Sequence, residues 1–169
     1  MPGKAKRLAL DAMLLGAALI LSWLESMLPM PLPGFRLGLG NIAIVLTARL
    51  VSRADGLAVL ILRVAVTSLL FGSVTTFAFS LAGGLLAWGV TALLLPLYGR
   101  ISLIGVSILA AGAHNLGQVF AACAMFASAS PLAMLWWLLL LAVPAGALTG
   151  ALAEVCVRRV RGVRRGGTT

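Results

Sequence analysis

Long apolar runs separated by short polar or Gly/Pro-rich breaks dominate the chain, and they predict six helices. The first run covers residues 8–28 and stops at Pro29-Met30-Pro31-Leu32-Pro33-Gly34, where alternate prolines cannot continue a helix and Gly34 supports a turn. Residues 39–50 form a short second helix, after which Arg49, Arg53, Asp55 and Gly56 mark a turn. The third helix covers 57–71, with Gly72 to Thr76 as a brief hinge. The fourth covers 77–95 and closes at Pro96, Gly99 and Arg100. The fifth runs over 103–127 to Ser128, Ser130 and Pro131, and the sixth over 132–157 into a basic tail, 158–169.

Composition decides the solvent of these helices. The 169 residues are 62% hydrophobic and 10% charged, with a mean hydropathy of +1.11. Soluble domains carry about 25% charged and about 45–50% apolar residues. The chain therefore reads as an all-α integral membrane protein, a single membrane domain over 1–169. At about 20 residues per span there is no room for a sizeable soluble domain. The apolar runs show no sustained alternation, which argues against a β-barrel. Helices 2 and 3 are short, about 18–23 Å against a hydrocarbon core of about 30 Å. Irregular backbone at membrane depth is tolerated only when buried in protein or lining a cavity. The stretch Pro29 to Asn41 is thus either a wall or lid of an outward-facing pocket, or an ordinary surface loop.

The net charge of +9 reflects where the basic residues fall. Six spans place both termini on one side. Lys4, Lys6, Arg7, Arg49, Arg53, Arg100, Arg158, Arg159, Arg161, Arg164 and Arg165 then share that side, eleven of the thirteen. Such a bias predicts cytoplasmic termini in a multi-pass protein of the plasma (inner) membrane. The tail suits anionic lipid head groups, and no nucleic acid partner is expected. The start, Lys4-Ala5-Lys6-Arg7 followed by Leu8 to Leu21, imitates a signal peptide. It lacks a small-x-small cleavage site and reads as a retained helix. Cys123 and Cys156 lie inside apolar stretches with no metal-ligand or CxxC spacing, which leaves packing as the role of each.

Against this background, intramembrane polar residues carry the chemical information. Arg63 interrupts the run Leu57–Phe71, where a charge costs at least about 2.5–3.5 kcal/mol at the bilayer centre. It is either structural, satisfied by Glu25 or helix carbonyls, or turned toward a ligand. His114, Asn115 and Gln118 form a second constellation in helix 5, on neighbouring turns of one face. They serve as glue between helices or as contacts to a polar ligand. Asn41 either caps helix 2 or joins the pocket. Glu25 and Arg36 complete the polar set of the outer half, with Glu25 as counter-ion to Arg63 or Arg36 or solvated at the interface. Ser22 and Ser68 are weaker candidates, since lone serines in such helices more often bond back to their own carbonyls. Asp11 is expected to pair with a Lys or Arg. Small residues at four-residue spacing, Ala5 and Ala9 and then Ala12 and Gly16, let another helix approach closely, within the protein or from a partner. Gly83-Gly84 and Gly146-x-x-x-Gly150 have the same property.

In order, the motifs are Leu24-Glu25-Ser26, Pro33-Gly34-Phe35-Arg36-Leu37-Gly38-Leu39-Gly40-Asn41, Leu62-Arg63-Val64, Leu70-Phe71-Gly72-Ser73, Ser80-Leu81-Ala82-Gly83-Gly84, Gly105-Val106-Ser107 and Ala113-His114-Asn115-Leu116-Gly117-Gln118. Together they resemble the Gx transporter family, also labelled heptaprenyl diphosphate synthase component I, which is similar to the substrate-binding (S) components of energy-coupling factor (ECF) transporters. The resemblance covers nearly the whole chain. Position 40 is Gly where Ala is expected in many relatives. The resemblance implies a six-helix bundle with cytoplasmic termini and an outer pocket partly covered by the loop between helices 1 and 2. It also implies that Ala5, Ala9, Ala12 and Gly16 face a membrane-embedded T subunit driven by two ATPases.

The two family labels make different claims. A prenyl diphosphate synthase holds Mg²⁺ and diphosphate on aspartate-rich motifs, and this chain has two separated aspartates, Asp11 and Asp55. It also lacks a paired nucleophile and base and a Gly-x-x-x-x-Gly-Lys loop. A stand-alone enzyme is therefore not expected, and no cofactor. The expected function is an S-type subunit binding a small polar or amphipathic molecule for uptake. Arg63 would meet an anionic group, His114, Asn115 and Gln118 a polar edge, and Asn41 would contribute from the loop side. The alternative is a noncatalytic membrane subunit assisting a heptaprenyl diphosphate synthase. A third class is a structural assembly factor, which a bundle without an enclosed polar cavity would favour.

Overall fold

The computed structural model describes residues 3–28, 36 and 38–166. Six helices follow the predicted order: α1 (Lys4–Ser26), α2 (Asn41–Leu50), α3 (Arg53–Phe71), α4 (Val74–Leu94), α5 (Leu103–Phe126) and α6 (Leu135–Gly166). Short 3-10 turns, Leu95–Leu97 and Ser130–Met134, follow α4 and precede α6. Pro29 to Phe35 and Leu37, on which most of the expected lid falls, lie outside the described residues.

Serine caps account for the main differences from the sequence reading. Ser52 Oγ accepts the Asp55 N–H at 3.1 Å, which starts α3 at Arg53. The helix is therefore 19 residues long and not short as expected. Ser73 Oγ accepts the Thr76 N–H at 3.2 Å and reduces the hinge to Gly72 and Ser73. Ser102 does the same for α5 through the Gly105 N–H. The sixth helix continues through Gly166, so much of the expected tail is helical. Arg158 and Glu154, 3.0 Å apart at i,i+4 spacing, bridge the boundary.

Contacts between distant residues fix the direction of each helix. Arg7 bonds to Asp55 at 2.6 Å, placing the starts of α1 and α3 together. Trp88 Nε1 donates to the Arg53 carbonyl, and Tyr98 donates to Glu154, which brings the end of α4 and the last part of α6 to the same level. One end of the bundle, the Lys4 end, thus carries both terminal portions. The opposite end, the Ser26 end, carries the segment leading into α2 and the α3–α4 and α5–α6 connections.

The 10-residue α2 is enclosed, with every residue from Asn41 to Thr47 buried. A helix surrounded by protein has no need to match the thickness of a bilayer, and about 15 Å suffices. Its Ile42, Ala43, Val45 and Leu46 form the main core with Leu14, Ala18, Val59, Leu103, Ala153 and Val157. A second cluster, Phe79, Val119, Ala122 and Leu138, joins α4, α5 and α6. α5 approaches α6 at backbone distance, since a Cβ on Gly146 would lie 2.5 Å from Ile108 Cα and one on Gly150 2.5 Å from Ile104 Cα. Both glycines are thus used within the chain. α1, α3, α4, α5 and α6 are each long and apolar enough to cross a membrane. Their outer faces carry Leu8, Ile20, Leu69, Leu93, Phe120, Trp136, Leu140 and Leu148, all exposed. Cys123 packs against the second cluster, whereas Cys156 is exposed and packs no core.

Candidate functional site

Polar side chains from five elements meet near the Ser26 end, around residues 36–41. The helical spacing of Ser22 and Glu25 turns both to the inner face of α1, where they are 1% and 2% exposed. α3 contributes Arg63, 4% exposed, and Thr67 one turn later. Ser80 of α4 and His114 of α5 close the opposite side, and Arg36 enters from the segment before α2. All are buried in a bundle whose other interior positions are largely apolar.

Arg36, Gly38 and Leu39 are held by side chains of α1 and α5. Glu25 Oε1 accepts the N–H groups of Gly38 and Leu39, the latter at 3.4 Å. Gln118 grips the Arg36 backbone twice: Oε1 accepts its N–H and Nε2 donates to its carbonyl, each at 2.8 Å. Gly38 has φ +84, and a Cβ there would lie 2.7 Å from Asn41 Nδ2 and 3.0 Å from His114 Cδ2. Glycine satisfies both the left-handed backbone and the lack of space. A Cβ on Gly40 would run into Arg63 Nη1 and come within 2.7 Å of Ser22 Oγ, so the glycine at this position makes room for the guanidinium.

Arg63 Nη2 donates to Asn41 Oδ1 at 3.1 Å, while its Nε is buried without a hydrogen-bond partner. Asn41 is therefore not the cap of α2; Gly40 holds that position and makes no side-chain capping bond. Glu25 and Arg36 share the cluster with Arg63. Yet among the described residues ion pairs within 4.0 Å are confined to Arg7–Asp55 and Arg158–Glu154. Glu25 acts on both guanidiniums through space and spends its direct bonds on backbone. Asn115 lies one position off this cluster, donating to the Leu138 carbonyl at 2.6 Å and tying α5 to α6. His114 packs against Gly83, where a Cβ would be 2.8 Å from His114 Nδ1. Ser22 and Ser68 do not bond back to their helices, and both hydroxyls are buried without partners. The threonines do so instead, Thr67 to the Arg63 carbonyl and Thr91 to that of Ala87, each at 2.8 Å. Arg7 turns to Asp55 and leaves Asp11 Oδ1 without a hydrogen-bond partner, contrary to the expected pairing.

Ser80 and Ser107 stand in two of the sequence motifs, but nothing in the sequence marks either as a site residue. Both are buried with unpartnered hydroxyls; Ser80 lies beside Arg63 and His114, and Ser107 beside Gly38 and Asn41. A polar side chain in an otherwise apolar helix was the available signal, but serine is too common in membrane helices for it to stand out.

Two guanidiniums and one carboxylate give the cluster an excess of positive charge. Burial pulls the Arg36 guanidinium below its ordinary value and the Glu25 carboxylate pulls it back. Free space is small. The void among Gly38, Asn41, Ser107 and Ala110 holds about 10 Å³, near the minimum for one water, and the polar cluster itself is filled. What stands out is the unused hydrogen-bonding capacity of Arg63 Nε, Glu25 Oε2, Ser22 and Ser80, all shut off from solvent. Folded proteins leave few such groups, and each costs about 1–3 kcal/mol. Among the described residues no three His, Cys, Asp or Glu side chains converge to hold a metal.

No curated protein and no solved structure matches the chain. A family model does, that of heptaprenyl diphosphate synthase component I, over residues 14–156 of the 169. That span runs from the middle of α1 into α6 and takes in Glu25, the whole segment 36–41, Arg63 and the His114–Gln118 turn. The likeness therefore covers both the bundle and its polar cluster, and the chain belongs to the heptaprenyl diphosphate synthase component I family.

Proposed function

We propose that the chain is a noncatalytic membrane subunit that binds a small anionic molecule at Arg63 and serves a heptaprenyl diphosphate synthase. The family name supports the partnership. The observation that carries the binding role is Arg63 itself, 4% exposed, with one side-chain hydrogen bond among the described residues and an unpartnered Nε. A purely structural arginine at this depth would be expected to have its donors satisfied by the protein. The nearly filled cluster would be the ligand-free form, in which Arg36, Gly38 and Leu39 are bonded to α1 and α5. In the membrane the Lys4 end, with eleven of the thirteen basic residues, would face the cytoplasm, and the Arg63 cluster the outside.

A second reading, an S-type uptake subunit energised by separate T and ATPase subunits, has its own support. Ala5, Ala9 and Ala12 are exposed along α1, and a Cβ on Gly16 would meet nothing within 4 Å. This strip of small residues is free to receive another membrane helix.

Both readings are tested on tagged protein purified gently from its own membranes and examined by native mass spectrometry. We expect a retained small anion in the wild type and none in Arg63→Ala, with the variant still folded. A co-purifying prenyl diphosphate synthase supports the first reading, and a coupling subunit with ATPases the second. Loss of folding in Arg63→Ala, with no small molecule in the wild type, would make the arginine structural and the chain an assembly factor.

A further inference from the structure

The seam between α3 and α4 changes character along its length. Near the middle of both helices the two touch, and a Cβ on Gly84 would strike the Leu60 side chain. Toward the Ser26 end a groove of about 310 Å³ lies along the seam, lined by Ala65, Ser68, Leu69, Ser73, Val74 and Phe77. That is room for roughly ten water-sized groups. The groove opens sideways among exposed apolar side chains, Leu69 at 85%, Leu70 at 64% and Val74 at 81%.

The same faces of the two helices lead to the polar cluster. Along α4 and its cap, Ser73, Phe77 and Ser80 recur at i, i+4 and i+7 and form one stripe. On α3, Val64 and Ser68 are four apart. Val64, Thr67 and Ser80 line the cluster with Arg63, while Ser68, Ser73 and Phe77 line the groove. Ser68 Oγ is buried without a partner, so a polar atom without a protein bond lies on the stripe that joins them. A fully water-soluble ligand would make no use of an apolar slot beside its site. An anionic head attached to a hydrocarbon chain would use both.

We propose that the ligand is an amphiphile, its anionic head at Arg63 and its hydrocarbon tail leaving through the α3–α4 groove into the surrounding lipid. The inference rests on the binding role assigned to Arg63 above. Arg36 and Arg63 supply the charge complement to the head, and the groove admits a single linear chain. Ser68 marks the passage, and a bulky side chain there closes it without touching the guanidiniums.

Two phosphates with the same head test this: farnesyl monophosphate and dimethylallyl monophosphate, titrated against the purified full-length protein in one detergent. The longer tail should bind at least about tenfold more tightly, given about 0.8 kcal/mol for each buried methylene. Ser68→Phe should weaken farnesyl monophosphate by about tenfold or more and leave the short compound within about twofold. Ala65→Phe is a second, independent block. If neither variant folds, the chain-length comparison on the wild type still decides. Equal binding of the two phosphates, or indifference of the longer one to both substitutions, overturns the inference. If binding in that case is still abolished by Arg63→Ala, the anion site stands without the tail channel. If neither phosphate binds, both the channel and the anion site as assigned fall. Loss of co-purifying phospholipid in Ser68→Phe with no change for either phosphate would make the groove a seat for bulk lipid and overturn the inference as well.

Discussion

Glu25 shows how one side chain can hold a site in reserve. Its carboxylate is the acidic group facing Arg36 and Arg63, yet its direct bonds go to the N–H groups of Gly38 and Leu39. An amide oxygen can still accept those N–H groups, so Glu25→Gln keeps a bond and removes the charge. Two buried guanidiniums would then face each other without a counter-charge, at a cost of about 1–3 kcal/mol. For a chain of this length that corresponds to a midpoint lowered by about 2–4 °C per kcal/mol. An anion bound at Arg63 should restore the loss, so added farnesyl monophosphate should raise the melting point of the variant more than that of the wild type. Thermal unfolding in detergent measures both. An unchanged midpoint in the ligand-free variant would mean that Glu25 is not the counter-charge. The sequence made Arg63, Glu25, Arg36 and His114 legible because charge and imidazole are conspicuous in an apolar chain. It could not show that Asn41 would take the guanidinium, or that Gln118 would grip the Arg36 backbone across 82 positions. Those pairings depend on which helices become neighbours, and periodicity within a helix does not record that.

At the scale of the helix, glycines separate internal contacts from free surface. Sequence spacing treats Ala12 to Gly16 and Gly146 to Gly150 alike, because both fit the small-xxx-small pattern. The fold separates them. Side chains at Gly146 and Gly150 would collide with the α5 backbone at Ile108 and Ile104, whereas Gly16 has open space beside it. Gly146→Leu should therefore drive α5 and α6 apart, costing about 1–3 kcal/mol or more, and yield little monodisperse protein by size-exclusion chromatography. Gly16→Leu should leave the isolated chain as stable as before, or slightly more so, since glycine is a poor helix former. Its effect should fall on assembly: if α1 receives a coupling subunit, Gly16→Leu loses that subunit in co-purification while keeping its small molecule. Equal destabilisation by the two substitutions would mean that the α1 strip is an internal surface. Helix starts were less legible than helix cores. Ser52, Ser73 and Ser102 each cap a helix, and a lone serine before an apolar run is too frequent to be read as a cap without its bond to the N–H three residues on.

For the whole molecule, the question is which part yields when a ligand arrives. The space beside Gly38 holds about 10 Å³, so either the helices part or the backbone at Arg36 and residues 38–40 lifts. Helix α3 meets α4 where the Leu60 side chain packs on Gly84, and α5 meets α6 at close backbone range along two glycines. Separating them would open the packed core. Arg36, Gly38 and Leu39 are fastened differently, by Glu25 and Gln118 acting on their backbone groups. Such bonds can be exchanged for ligand or water with little net change in free energy. The segment should therefore move while the helices stay. A Cβ on Gly40 would lie 2.7 Å from Ser22 Oγ, which puts the side chains at these two positions within bonding reach of each other. In a chain with Cys123→Ala and Cys156→Ala, the pair Ser22→Cys and Gly40→Cys should cross-link on oxidation and fasten the segment to α1. The oxidised protein should not bind farnesyl monophosphate, and reduction should restore binding. Comparing the two redox states cancels any displacement of Arg63 by the new side chain. Equal binding in both would place the opening between α3 and α4, and the segment would then be a fixed wall of the site.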